Sequence, residues 1–199
     1  MNRRQVQRYA LPTLALIAAL VGWEMLVRVD HIEPVILPAP SVVLETLIGD
    51  WPVLFRSLMV TLRITVEALV AATVGGTLLA LAFARFRWLE EAFFPFAVIM
   101  QVTPVVSIAP LLLVYLDSGG AVLVCAFLVA FFPILSNTAL GIASADHNLI
   151  DLFELYGAKR WQQLWLLRLP AALPYFLGGL RIGGGLSLIG AIVAEFFGT

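Results

Sequence analysis

Long apolar runs alternate along the chain with short polar connections, and the runs occupy residues 11–29, 64–83, 92–116, 121–143 and 173–197. A helix needs about 20 mainly apolar residues to cross the hydrocarbon core of a bilayer, because each residue adds about 1.5 Å of rise. All five runs are about long enough. The glycines and alanines inside them, and the absence of a ten-residue alternating pattern, fit helices and not the strands of an outer-membrane barrel. The second run is entered through an amphipathic stretch at residues 54–63, and the third carries no charge. The expected fold is an all-α membrane protein, a polytopic helical bundle of about five spans.

Composition agrees. Of 199 residues, 61% are hydrophobic and 13% charged, with a mean hydropathy of +0.99, whereas soluble domains approach about a quarter charged. The lipid bilayer is therefore the first partner. A net charge of −1 without a basic, aromatic-interleaved stripe excludes nucleic acid. Cys125 is the single cysteine and lies in an apolar run, so it forms no internal disulfide, and no Cys/His spacing suggests a metal site. His31 and His147 both fall outside the runs, and no nucleophile with a nearby base is visible, so no catalytic residue is assigned. Arg3, Arg4 and Arg8 precede the first run as they would in a secretory signal. However, Trp23, Glu24 and Met25 stand where a cleavage site wants small residues, which favours an uncleaved anchor.

Basic residues are retained on the cytoplasmic side near span ends. Arg3, Arg4 and Arg8 put the N-terminus inside; Arg85 and Arg87 fall inside two crossings later, and Lys159, Arg160 and Arg168 two crossings after that. The turn at residues 117–120 falls outside and has no cation. Arg28 and Arg56, at the ends of the long outer connection, lean the other way.

Several polar or helix-breaking residues interrupt the runs. Pro95, Pro104 and Pro110 lie in the third and Pro133 in the fourth; in lipid a carbonyl freed by proline must be satisfied by neighbouring helices or a water-lined cavity. Gln101, Pro104, Ser107 and Pro110 are thus candidates for a solute pathway or a simple kink, and Ser136 with Asn137 for a second polar island or an interhelical hydrogen bond. Glycines at 75, 76, 178, 179 and 183–185 read as packing faces, or as hinges and bare surface along a pathway. Intramembrane charges are costly, so Glu67, Arg181 and Glu195 should face the bundle or a polar cavity; Arg181 is a further candidate for the solute pathway, where it could attract an anion, or a packed, paired arginine. Arg63 with Glu67, and Glu24 with Arg28, are four apart and can pair along a helix.

Between the last two runs lies a basic, tryptophan-bearing segment with the chain's only lysine. Asp146 reads as the N-cap of a helix of about ten residues that Gly157 stops in the left-handed region. Leu149, Leu152, Phe153 and Tyr156 share its apolar stripe, while Asp151 and Glu154 lie off it. A second helix carries Trp161 and Trp165 until Pro170 is expected to force a break. As a hairpin it could merely anchor the bundle at the interface.

Gly157, Leu167, Leu169 and Pro170 also fall on the Gly, Ile, Leu and Pro of a pattern E-A-A-x-x-x-G-x9-I-x-L-P. That pattern marks the cytoplasmic loop of permease subunits of ATP-binding-cassette importers, which the chain resembles. Asp151, Leu152 and Phe153 replace its Glu-Ala-Ala. Residues 37–47, IAPLLLVY, FFPILSNTALG and the long stretch from Leu169 into AEFFG resemble, in that order, the nitrate/sulfonate/taurine-type branch.

The resemblance implies a type I importer permease architecture with six spans, so that this chain would be short by about one at its C-terminus. It implies an anchor with a periplasmic connection over residues 1–57, and a permease core over 58–199 that contains a coupling loop at about 144–170. In that loop Asp146, Asp151, Leu152, Phe153, Glu154, Gly157, Ala158, Leu167, Leu169 and Pro170 would meet a cytoplasmic ATPase. The other implied partners are a second permease subunit, as a homodimer, and a periplasmic or lipid-anchored solute-binding protein, all at the bacterial inner membrane. No cofactor would be bound directly, ATP being used by the partner; the chain has no G-x-x-x-x-G-K-[ST] to cradle phosphates. A non-transporting scaffold or assembly protein, or an inactive truncated permease, is the alternative. The orientation is testable: in a background lacking Cys125, a cysteine at Lys159 should react with a membrane-impermeant maleimide in inverted vesicles and not in intact cells.

Overall fold

The computed structural model describes residues 3–198, apart from the side chains of residues 3–8, 105 and 106, so the side chains of Arg3, Arg4 and Arg8 lie outside it. Among the described residues there are nine α-helices and no strand: α1 (Arg3–Val29), α2 (Pro40–Gly49), α3 (Trp51–Arg85), α4 (Arg87–Val102), α5 (Val105–Tyr115), α6 (Ser118–Ala143), α7 (His147–Leu155), α8 (Arg160–Gln163) and α9 (Leu169–Gly198). A π-helical turn, Leu164–Arg168, joins α8 to α9. Tyr9–Val29, α3, α6 and the continuous Arg160–Gly198 helix are each long and apolar enough to cross a membrane, and α4 with α5 makes a fifth span if the bent pair is one. The expected all-α polytopic architecture is what the chain adopts.

Two of the sequence expectations meet a different backbone. The uncharged third run is two helices bent by 105°. The reason is local: Pro104 offers no amide and pushes its predecessor out of the α region, so Thr103 (φ −68°, ψ 125°) and Pro104 (φ −67°, ψ 123°) are extended. Pro95, Pro110, Pro133 and Pro174 remain inside helices. Conversely, the break expected at Pro170 does not occur, since the helix continues through it to Gly198. The π-helical turn just before it accounts for this. There the Leu169 amide bonds to the Leu164 carbonyl, five residues back, and the widened turn relieves the crowding that a proline ring imposes on a regular α-helix.

The chain divides into two compact units, residues 1–58 and 59–199, with α3 contributing to both. In the first, the Glu24 carboxylate accepts from the Ser41 amide (3.0 Å), the Ser41 hydroxyl (2.8 Å) and Arg28 Nε (2.6 Å). Ser41 lies in the first turn of α2, so Glu24 satisfies one of the free amides there and complements the helix dipole. Sequence spacing finds the Glu24–Arg28 pair but not this longer-range cap.

In the second unit the core is built mainly from alanine and glycine. Ala68, Ala109, Val122, Cys125, Ala126, Ala191 and Ala194 form one buried cluster, and Ala80, Phe83, Ala97, Leu135, Ile142 and Ala172 another. Small side chains bring helix axes close, which matters in lipid because burying apolar surface against another helix gives little advantage over burying it in acyl chains. The α6–α9 pair shows the limit of that approach. A Cβ at Gly141 would lie 2.8 Å from the Ala172 Cα, one at Gly179 2.9 Å from the Asn137 Cβ, and one at Gly190 2.6 Å from Val129 Cγ2. Gly76 of α3 is similarly confined, with the Leu135 amide 3.2 Å away. The packing reading therefore holds for Gly76, Gly179 and Gly183, whereas Gly178 and Gly185 face open space.

This separation of glycines is testable. Gly141→Ala and Gly190→Ala should lower the thermal midpoint of the detergent-purified chain, each by the equivalent of about 1–3 kcal/mol of overpacking. Gly185→Ala should leave it unchanged or raise it, because alanine is the better helix former by about 1 kcal/mol.

Candidate functional site

The hairpin expected between α6 and α9 is present, and its ends are held firmly. At its first leg Ser144 closes α6, donating its hydroxyl to the Gly141 carbonyl at 2.8 Å. Gly141 in turn lies against Ala172 of the second leg, so both legs are pinned where they leave the bundle. The next helix starts as the sequence predicts: the Asp146 carboxylate accepts from the Asn148 amide at 2.9 Å. It ends in a Schellman motif, with the Gly157 amide donating to Glu154 O and the Ala158 amide to Phe153 O, both at 2.9 Å, and with Gly157 at φ 69°. A side chain is strained at that angle, which is why glycine stands there.

No residue of α7 is buried. Leu152 and Leu149 are exposed on the stripe side, Phe153 and Ala158 are half-buried, and Asp151 and Glu154 are exposed. Leu155 and Tyr156 are 84% and 81% exposed. The result is a short, well-capped amphipathic helix with apolar and acidic groups on display. After Ala158 the chain turns into α8, where the Lys159 amide donates to the Gln162 side chain at 2.7 Å. Leu167 and Leu169 are half-buried and Pro170 is exposed, on the leg that runs into α9.

The residues nominated for a pathway are not gathered in this chain. Gln101, Pro104, Ser107 and Pro110 are exposed around the α4–α5 bend. Asn137 donates to the Pro133 carbonyl at 2.8 Å, within its own helix, and Ser136 Oγ is buried without a hydrogen bond among the described residues. Of the three intramembrane charges, Glu195 is half-buried as expected, whereas Glu67 and Arg181 are exposed. Glu195 accepts from Thr61 Oγ1 at 2.8 and 3.0 Å. Glu67 pairs with Arg63 at 2.8 Å and lines a cavity of about 370 Å³ with Arg63, Gly119 and Gly120. Arg181 departs from the expectation: it is exposed on the surface of α9, between the open faces of Gly178 and Gly185.

Two further cavities lie around the hairpin's base. One of about 500 Å³ is lined by the end of α3, the start of α4, the end of α6 and Arg168. The other, of about 360 Å³, is lined by Ala84, Arg85, Glu154, Arg160, Trp161, Gln163, Leu164 and Arg168. Sequence reasoning did not find Gln163, a polar residue buried on the second leg; nothing in its spacing separates it from its exposed neighbours.

Comparison with known proteins agrees with this architecture. The chain is 36% identical to a riboflavin transport system permease protein of Chloroflexus aurantiacus over 97% of its own length and 75% of that protein's. It is 34% identical to a formylaminopyrimidine transport permease protein of Halalkalibacterium halodurans over 94% and 76%, and 28% identical to a taurine transport system permease protein of Escherichia coli over 94% and 70%. The family described as the binding-protein-dependent transport system inner membrane component matches residues 72–199, and the chain belongs to that family, the permease subunits of ATP-binding-cassette importers.

Proposed function

We propose that the hairpin at about residues 144–170 is the grip through which a cytoplasmic ATPase drives this permease, that two copies of the chain pair to enclose the pathway, and that the N-terminus is cytoplasmic. Permeases of this family are multi-pass inner-membrane components that work with an ATPase and a binding protein. The chain is accordingly a transport component and not an enzyme. In this reading residues 1–57 are the anchor and periplasmic connection and residues 58–199 the permease core. The chain binds no cofactor itself, ATP being used by the partner.

One observation carries the grip: α7 is capped at both ends, pinned at its base through Gly141 and Ala172, and yet buries none of its residues. A stiff element with an unmatched apolar and acidic surface suits a groove on another subunit. ATP-driven closure can shift an inward/outward equilibrium only through contacts that differ between the two states, and a rigid element transmits that difference. Asp151, Leu152 and Glu154 would supply the contact, with Phe153 and Ala158 backing it. Gly157 holds the turn, and Leu167, Leu169 and Pro170 lead into α9.

The pairing is supported by Arg181. A charge on the lipid face of a span is costly, and glycines three residues before it and four after it leave room for another helix backbone. A second copy laid against this face would remove Arg181 from lipid and bring Gln101, Pro104, Ser107, Pro110, Ser136 and Asn137 of both copies within range of one pathway. For the solute we infer a nitrogen heterocycle before a sulfonate, because the riboflavin and formylaminopyrimidine permeases are more similar to this chain than the taurine permease is.

Gly157→Pro should uncouple transport, since proline cannot adopt the left-handed angle and deletes the amide that bonds Glu154. In proteoliposomes holding the complete importer, uptake per ATP hydrolysed should fall by about 5–150-fold, the range of an ordinary coupling energy. Charge reversal at Asp151 and Glu154 should release the ATPase during purification. Unchanged uptake in both variants would overturn the grip. A cysteine at Gly185 should form a disulfide-linked dimer under mild oxidation; absence of the dimer when the complex is active would overturn the paired face.

A further inference from the structure

The 360 Å³ cavity under the hairpin has a charge pattern that docking an acidic helix does not use. Arg85, Arg160 and Arg168 line it against one acid, Glu154, three positive charges to one negative. Among the described residues none of these arginines has a carboxylate within ion-pair distance; Arg85 stacks its guanidinium 5.1 Å from the Phe86 ring. Gln163, which lines the same cavity, is only 6% exposed. A largely buried glutamine beside three arginines without ion pairs offers an anion several donors at one place. Arginine forks match a phosphate's oxygens two at a time, and an amide N–H adds a further donor.

The location selects the kind of phosphate. Arg85 ends α3 and Arg160 opens the Arg160–Gly198 helix, both of them long and apolar enough to cross a membrane. Trp161 and Leu164 form an apolar wall, and tryptophan is a residue of the headgroup level. A ligand there can set its phosphate among the arginines while its acyl chains remain in lipid. Basic pockets between spans on the cytoplasmic side suit anionic headgroups for that reason. We propose that this cavity binds the phosphodiester headgroup of an anionic glycerophospholipid. The site borders the proposed ATPase grip at Glu154, but lipid retention is read on the permease chain alone, so that its failure leaves the grip standing.

The probe is phosphatidylglycerol, with phosphatidylethanolamine of the same acyl chains and inorganic phosphate as comparisons, offered to the delipidated full chain and read by native mass spectrometry. The expected result is retention of phosphatidylglycerol in preference to phosphatidylethanolamine. Retention should fall about tenfold or more in Arg160→Gln/Arg168→Gln, fall less in the lysine pair Arg160→Lys/Arg168→Lys, fall in Gln163→Leu, and remain unchanged in Arg63→Gln. Monodispersity and thermal midpoint establish that each variant is folded, and the lysine pair preserves the test if the glutamine pair is not. Equal retention by the wild type and a folded glutamine or leucine variant would overturn the site. So would equal retention of the two lipids, or displacement of the lipid by millimolar inorganic phosphate, which would mark a site for the free ion. In the complete importer, loss of ATPase co-purification in the glutamine pair with lipid retention intact would mark the cavity as occupied by an ATPase side chain, and would overturn it as well.

Discussion

Helices already dissolved in lipid gain little by hiding apolar side chains from one another, so what holds them together is contact at the shortest range that backbones allow. In this chain that contact is concentrated where α6 meets α9. Gly141, Gly179 and Gly190 sit so close to the facing helix that a single added carbon would collide with it, and one at Gly183 would press on Ile134 at 3.0 Å. Their lack of side chains lowers helix propensity by about 1 kcal/mol each, and the packing they permit offsets that loss. Because Gly141 rests on Ala172 at the point where both legs of the hairpin leave the bundle, the same contact that joins two spans also fixes the base of the exposed α7.

The polar groups divide according to whether the chain can satisfy them alone. Glu24 caps α2 and Glu195 receives the Thr61 hydroxyl. Asn137 and Thr138 return their donors to carbonyls one turn back, at 2.8 and 2.6 Å, the usual way for a polar side chain to survive inside an apolar helix. Among the groups left without such closure are those on the acidic and apolar face of α7, on the Arg181 strip of α9, and around the arginine-lined cavity under the hairpin. The first two are the surfaces proposed above for the cytoplasmic drive and the second copy.

Much of this was readable from the chain itself, for identifiable reasons. Span number follows from run length. Asp146 and Gly157 announced α7 because capping depends on one side chain and one backbone angle, both local. The ion pairs Arg63–Glu67 and Glu24–Arg28 were visible because helix periodicity puts residues four apart together. What stayed hidden depended on distant chain or on small changes of backbone register. Ser41 reaches Glu24 across 17 positions. Gln163 differs from Gln162 only in which way its helix faces. Pro104 and Pro170 look alike as letters, yet one ends its helix in a 105° bend and the other rides inside a continuous one. The difference at Pro170 is the widened turn before it, which no spacing rule announces.

That widened turn, Leu164–Arg168, has a geometric consequence for everything upstream of it. A π-helical turn holds one residue more than its regular counterpart, and in an α-helix one residue corresponds to about 100° of rotation. The compass bearing at which Trp161, Gln163 and the rest of α8 look out from the α9 axis is thus set by a single surplus residue. The bulge works like a keyway on a shaft: it fixes the angular offset between α8 and α9 while leaving both individually helical.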